Sequence, residues 1–136
     1  MNATIAPGRC PVTVHLDLPP AAEAARLARQ RVALMLATDA AGCPRGIAED
    51  IVLIASELVT NAVRHADGPY ALTLSVGHRR VGVAVSDASS ELPRRRAGHA
   101  GVGPGGRGLQ IIQGLGADIF VSPSGSGKQV IAVLTW

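Results

Sequence analysis

Aromatic side chains make up only 2% of the 136 residues, a single Trp, Tyr and Phe. A core built without them has to be filled by Val, Leu, Ile and Ala, and a stacking platform of the kind used by single-stranded nucleic-acid binders is disfavoured. Cysteine is almost as scarce. Cys10 and Cys43 lie far apart with no CxxC or Cys/His cluster, so neither a zinc site nor a disulfide framework is indicated, and a reducing compartment fits. No stretch approaches the roughly 20 apolar residues of a membrane span. Residues 1–9 lack the continuous apolar centre of a secretory signal. The expectation is a cytoplasmic chain.

What is present points to a packed interior. Hydrophobic residues make up 47% and charged residues 17% of the chain, too apolar for disorder and enough for one core. One domain is expected over residues 11–136, after a flexible stretch at 1–10. The formal charge of +3 and a pI near 9.5 would suit a polyanionic partner, but the basic residues fall in two short groups rather than one stripe. Arg26, Arg29 and Arg31 read as a solvated helix face. Arg94, Arg95 and Arg96 fall in a loop and are available to a phosphate or a protein partner.

Alternation over Val12 to Leu18 predicts a strand, ended by Pro19 and Pro20. Helical spacing predicts a helix from Ala21 to about Ala37, and a second from about Gly46 to His65 whose apolar residues, Ala48 through Ala62, share one arc. Residues 71–76 and 81–85 predict two strands joined by a tight turn at 77–80. From Ala88 to Gly106 the pattern gives way to Ser, Pro, Arg and Gly, a stretch long enough to be a functional lid. A short helix at 107–115 and strands at 118–121 and 129–134, flanking a turn at 124–127, complete the order. These elements predict a two-layer α/β sandwich with a mixed, mostly antiparallel sheet and helices on one face.

Glu57, Asn61 and Arg64 fall in one narrow sector of the second helix, opposite its apolar arc, with Asp50 upstream and His65 at the edge. Any one of them alone reads equally well as an ordinary solvated position. Together with a Gly-rich loop they suggest more, because a carboxylate accepts a proton and an amide oxygen ligates a hard cation such as Mg²⁺. Asp87 ends a strand and starts a turn, which by itself is common for Asp. Gly106-Arg107-Gly108-Leu109, preceded by Gly101, Gly103 and Gly105, opens the short helix, where glycines admit a phosphate to backbone amides at a positive helix end.

The run Ser56-Glu57-Leu58-Val59-Thr60-Asn61-Ala62-Val63-Arg64-His65-Ala66 resembles the N-box of the GHKL ATPases, in the version of the anti-sigma-factor serine/threonine kinases. Val85-Ser86-Asp87 followed by Pro93 resembles their G1 box, and Gly106 to Leu109 their G2 box. The resemblance covers nearly the whole chain and implies the histidine-kinase-like ATPase fold. It further implies that Glu57 is a general base toward a protein hydroxyl, that Asn61 binds Mg²⁺, and that Asp87 bonds the adenine amino group. Gly106, Arg107, Gly108 and Leu109 would surround the phosphates, and Arg64 and His65 would serve packing or phosphate-side contacts. Two departures stand out. The G1 segment 87–93 lacks the glycine of many relatives. Where the family commonly has Gly-Lys-Thr, its Thr helping the Asp to hold adenine, this chain has Gly127-Lys128-Gln129; an amide still donates and accepts hydrogen bonds, so binding of altered affinity is expected.

Two other motifs fail on context. Residues 103–108 satisfy GxGxxG but follow a loop rather than a strand, and Gly125-Ser126-Gly127-Lys128 lacks both the first glycine of a P-loop and its following helix. The latter reads as a hairpin turn with Lys128 exposed. The resemblance thus implies a MgATP-dependent kinase phosphorylating an anti-sigma-factor antagonist, with a sigma factor as second partner and a homodimeric state. A nucleotide-dependent binding module without kinase activity is the rival reading. A catalytic fragment of a histidine kinase is disfavoured by the lack of a dimerisation helix with a phospho-accepting His. Neither nucleic acid nor a membrane is an expected partner.

Overall fold

The computed structural model describes residues 12–20, 22–40, 42–89, 110–125 and 127–136. Among these residues five strands form one sheet: β1 (Val12–Leu18), β2 (Tyr70–Gly77), β3 (Arg80–Asp87), β4 (Asp118–Ser124) and β5 (Gly127–Thr135), in the spatial order β1-β2-β3-β5-β4. Period-two alternation decides which face each side chain takes. Tyr70, Leu72, Leu74 and Val76 of β2, Val81, Val83 and Val85 of β3, and Val130, Ala132 and Leu134 of β5 are all buried on one face. Their neighbours on the other face, among them Thr73, Ala84 and Val133, are only half-buried.

Two helices cover the inner face. α1 (Glu23–Asp39) buries Ala24, Ala28, Val32, Met35 and Leu36; α2 (Arg45–His65) buries Ile51, Ile54, Ala55, Leu58, Val59 and Ala62. Spacings of three and four keep each set on one stripe, so both helices can pack against the sheet and each other. α2 contacts β2, β3 and β5, and lies along α1. Pro44 caps α2 at its start, where a missing N–H costs nothing, and its carbonyl accepts the Ala48 N–H at 2.9 Å. At the other end Ala66 turns extended, and a Gly68–Pro69 peptide, which is cis, leads into β2.

The β2–β3 hairpin closes through His78 and Arg79, the latter in the left-handed region at φ 55°. Trp136 brackets that residue: its N–H donates to the Arg79 carbonyl at 3.1 Å, and Arg79 Nε donates back to the Trp136 carbonyl.

The expected two-layer sandwich is present, and the elements start or end within a few residues of the predicted positions. Two points differ. All four strand pairings among the described residues are antiparallel, so the sheet is not mixed there. β5 begins at Gly127 rather than at Gln129, which matters for the site. Of the helix expected at 107–115, residues 110–114 are helical, with Ile112 fully buried; residues 107–109 lie outside the described residues, as does the stretch 1–10.

Because Leu72 is fully buried at the sheet centre, Leu72→Ala is expected to lower unfolding free energy by about 2–5 kcal/mol. Leu34→Ala, at a position 62% exposed, should change it by less than about 0.5 kcal/mol. Urea denaturation of the two variants checks both.

Candidate functional site

α2 carries a second, polar face as well as its core stripe. Glu57 and Asn61, one turn apart, are half-buried, while Arg64 and His65 are exposed. As the basic residues of the last turn, Arg64 and His65 complement the negative end of the helix dipole. Beside Glu57, Ser56 is buried and accepts a hydrogen bond from Arg29 Nη1 at 3.0 Å, joining α1 to α2 at the edge of this face. Arg26, Arg29 and Arg31 are all exposed, as a solvated face requires, and Arg29 also reaches across the helix pair.

The second part of the site is the end of β3. Its inward row runs Val81, Val83, Val85 and then Asp87, a carboxylate where the period demands an apolar side chain. Burying a charge is costly unless it is paired and hydrogen-bonded. Here it is both. Lys128 Nζ lies 3.1 Å from Oδ1 and 3.0 Å from Oδ2, and the Ser89 N–H donates to Oδ1 at 2.8 Å. The lysine and aspartate side chains are 7% and 2% exposed.

Main-chain geometry holds the pair in place. Asp87 and Lys128 are direct partners in the β3–β5 register. Gly127 passes so close to β3 that a Cβ would run into the Asp87 carbonyl and the Ala88 Cα. The Ala88 N–H donates to the Asp67 carbonyl at 2.8 Å, so the segment that follows α2 is bonded to the strand end carrying Asp87. Tyr70, at the start of β2, fixes the same segment by donating to the Ala66 carbonyl at 2.7 Å.

Two expectations are overturned here. Lys128 was expected to be exposed and is buried, because β5 starts early enough to put it on the inward row with Val130 and Ala132. Gln129 consequently faces the other side, paired with Ser86 and Ser122, and does not stand beside Asp87 as the substitute for the family's Thr. The signal was legible in the alternation of Lys128, Val130, Ala132 and Leu134. Gly127, Ser89 and Arg29 were likewise not foreseen as part of the site.

Gly106, Arg107, Gly108 and Leu109 lie outside the described residues, together with Pro93, Arg94 to Arg96 and all of the expected lid beyond Ser89. Among the described residues, no group of three or more His, Cys, Asp or Glu is placed to hold a metal ion. The Cys43 thiol sits at the α1–α2 junction, far along α2 from Asn61, and burial pushes its pKa up, away from a reactive thiolate.

The profile of the histidine kinase-like ATPase domain matches residues 18–134, and the chain belongs to that family. The RsbU and RsbW domains of Rv1364c from Mycobacterium tuberculosis share the fold at a TM-score of 0.63 and 18% identity, over 91% of this chain and 32% of that one. The blue-light activated histidine kinase EL346 of Erythrobacter litoralis matches at a TM-score of 0.50 and 31% identity, over 68% of this chain and 31% of that one. The chain therefore spans about a third of the length of each. Sequence comparison with curated proteins gives no match. Membership of this ATPase family implies ATP binding.

The tight approach at Gly127 generates a test. Gly127→Ala must part β3 from β5 beside Asp87, and is expected to cost about 3 kcal/mol or more in a urea titration. At Gly82 a Cβ would meet Val133 Cγ2 at an ordinary 3.9 Å, so Gly82→Ala is expected to be near neutral.

Proposed function

We propose that this chain is a MgATP-dependent protein serine/threonine kinase of the anti-sigma-factor type, phosphorylating an anti-sigma-factor antagonist and acting on transcription through a sigma factor. The observation that carries the reading is the pairing of a polar Glu57/Asn61 face on α2 with a buried acceptor, Asp87, at the end of a strand that α2 packs against. A family built to bind ATP supplies the nucleotide, and the N-box run 56–66 supplies the branch. The fold shared with a chain containing an RsbW domain is in line with that choice.

In this reading Asp87 receives the base. Glu57 orients the substrate hydroxyl and takes its proton as the oxygen attacks the terminal phosphorus and the bond to the leaving phosphate breaks. Asn61 offers an amide oxygen one turn away. That donor set fits Mg²⁺, which is commonly held by one or two protein oxygens together with substrate phosphates and water, and which supplies charge neutralisation at the phosphates when bound. Gly106, Arg107, Gly108 and Leu109 are assigned to the phosphates, and Arg64, exposed beyond Asn61, to their outer side. His65 is assigned to the same outer side. Most of the rate enhancement comes from positioning and charge stabilisation rather than covalent chemistry. Cytoplasmic residence and a homodimeric state belong to the same reading; among the described residues no helix is long and apolar enough to cross a membrane.

Calorimetric titration tests the binding half. ATP should bind in the presence of Mg²⁺ and weaken when the metal is removed. Asn61→Ala should weaken binding about tenfold or more, since a hydrogen bond or ligand contact to a charged group is worth roughly 1.5–3 kcal/mol. No heat at millimolar ATP would refute the site. For the catalytic half, Glu57→Ala is expected to slow phosphate transfer to the antagonist by about 10²–10⁴-fold while leaving ATP affinity in place. Unchanged partner regulation in that variant would instead identify a binding module without kinase activity.

A further inference from the structure

We infer that Lys128 is a base-recognition residue, reading the purine together with Asp87. This rests on the reading that Asp87 receives the adenine of ATP, and adds to it a cationic donor that the sequence resemblance does not assign.

The bonding capacity of the pair leads there. An ammonium has three N–H donors, and each carboxylate oxygen accepts about two hydrogen bonds. Oδ1 already takes Lys128 and the Ser89 N–H, whereas Oδ2 takes Lys128 alone. Contacts to the two oxygens engage at most two of the three ammonium donors. The buried pair therefore keeps one acceptor, on Oδ2, next to one donor, on Nζ. That is the complement of the adenine edge, where a 6-amino donor lies beside the N1 acceptor.

Sharing is favoured over displacement. The 6-amino group of adenine is neutral, and a neutral donor does not compensate a buried carboxylate as an ammonium does. Driving Lys128 off Asp87 would leave two buried charges without partners. The register sets the two residues opposite one another, and Gly127 holds β5 against the Asp87 backbone. Adenine is accordingly added to the pair, with Oδ2 accepting from the amino group and Lys128 Nζ donating to N1.

The test compares three nucleotides on the intact chain: ATP, 1-deaza-ATP, in which N1 is replaced by C–H, and purine riboside triphosphate, which lacks the 6-amino group. The wild type is expected to bind ATP about tenfold more tightly than either analogue, the loss of one charge-assisted hydrogen bond. In Lys128→Met the preference over 1-deaza-ATP should collapse to about one, with the preference over purine riboside triphosphate retained. Lys128→Arg keeps a donor and should keep the wild-type order. Equal wild-type affinity for ATP and 1-deaza-ATP overturns the inference, and this comparison needs no variant to fold. Tighter ATP binding by Lys128→Met than by the wild type also overturns it, by showing that the lysine competes with the base. If ATP and purine riboside triphosphate bind equally, Asp87 is not the amino acceptor. If the wild type binds none of the three, the ATP reading itself fails.

Discussion

A carboxylate stands in the inward row of β3 where the core calls for a hydrocarbon, and the structure around that end of the sheet follows from having to satisfy it. Asp87 is accommodated only because β5 presents Lys128 directly across from it and because the Ser89 N–H turns back onto Oδ1. Bringing the strands together there requires a residue without a side chain at 127. A buried ion pair is seldom a net source of stability, although removing one partner alone is severe, on the order of 3–5 kcal/mol. Its presence on a sheet face otherwise lined with Val, Leu, Ala and Tyr70 is more simply explained by use than by stability.

α2 connects this strand end with the rest of the candidate site. One stripe of the helix is committed to the core through Ile51, Ile54, Leu58 and Val59, so the helix cannot rotate without exposing them. That commitment fixes where Glu57 and Asn61 project. The Ala88–Asp67 hydrogen bond then fixes the segment after the helix relative to Asp87. Catalytic geometry is most accurate when it is set by packed elements in this way, and here the packing is mainly that of aliphatic side chains, with Met35 and Tyr70.

Much of this was legible in the sequence, for physical reasons that also explain what was not. Long amphipathic patterns have few competing solutions, which is why α1, α2 and the β2–β3 hairpin fell close to their expected limits. The sheet face of each residue was legible wherever alternation ran unbroken. Lys128 was misread because a lysine next to Gly and Ser looks like a turn residue, and lysines are rarely buried unless paired. The pairing partner lies 41 residues away in the chain, so nothing local announces it. Once the strand is started at Gly127, the same alternation places Lys128 inward and Gln129 outward. Glu57, Asn61 and Asp87 were named through a resemblance and a polar sector; the half-buried setting of the first two depends on tertiary packing that no local pattern contains. The Gly-rich run ending at Leu109 was read from its composition and lies outside the described residues.

The two oxygens of Asp87 have separate duties. Oδ1 secures the backbone where the chain leaves the sheet, through Ser89, while Oδ2 meets Lys128 alone and, on the inference above, takes the base as its second partner. An aspartate divides these tasks between equivalent atoms. Asparagine, of nearly the same shape, would have a single acceptor oxygen and would have to choose between holding the chain's exit and meeting a newcomer, while its amide nitrogen faced an ammonium that it cannot neutralise. Position 87 is thus constrained twice over, by anchorage and by exchange, and a substitution that preserves size alone satisfies neither constraint in full.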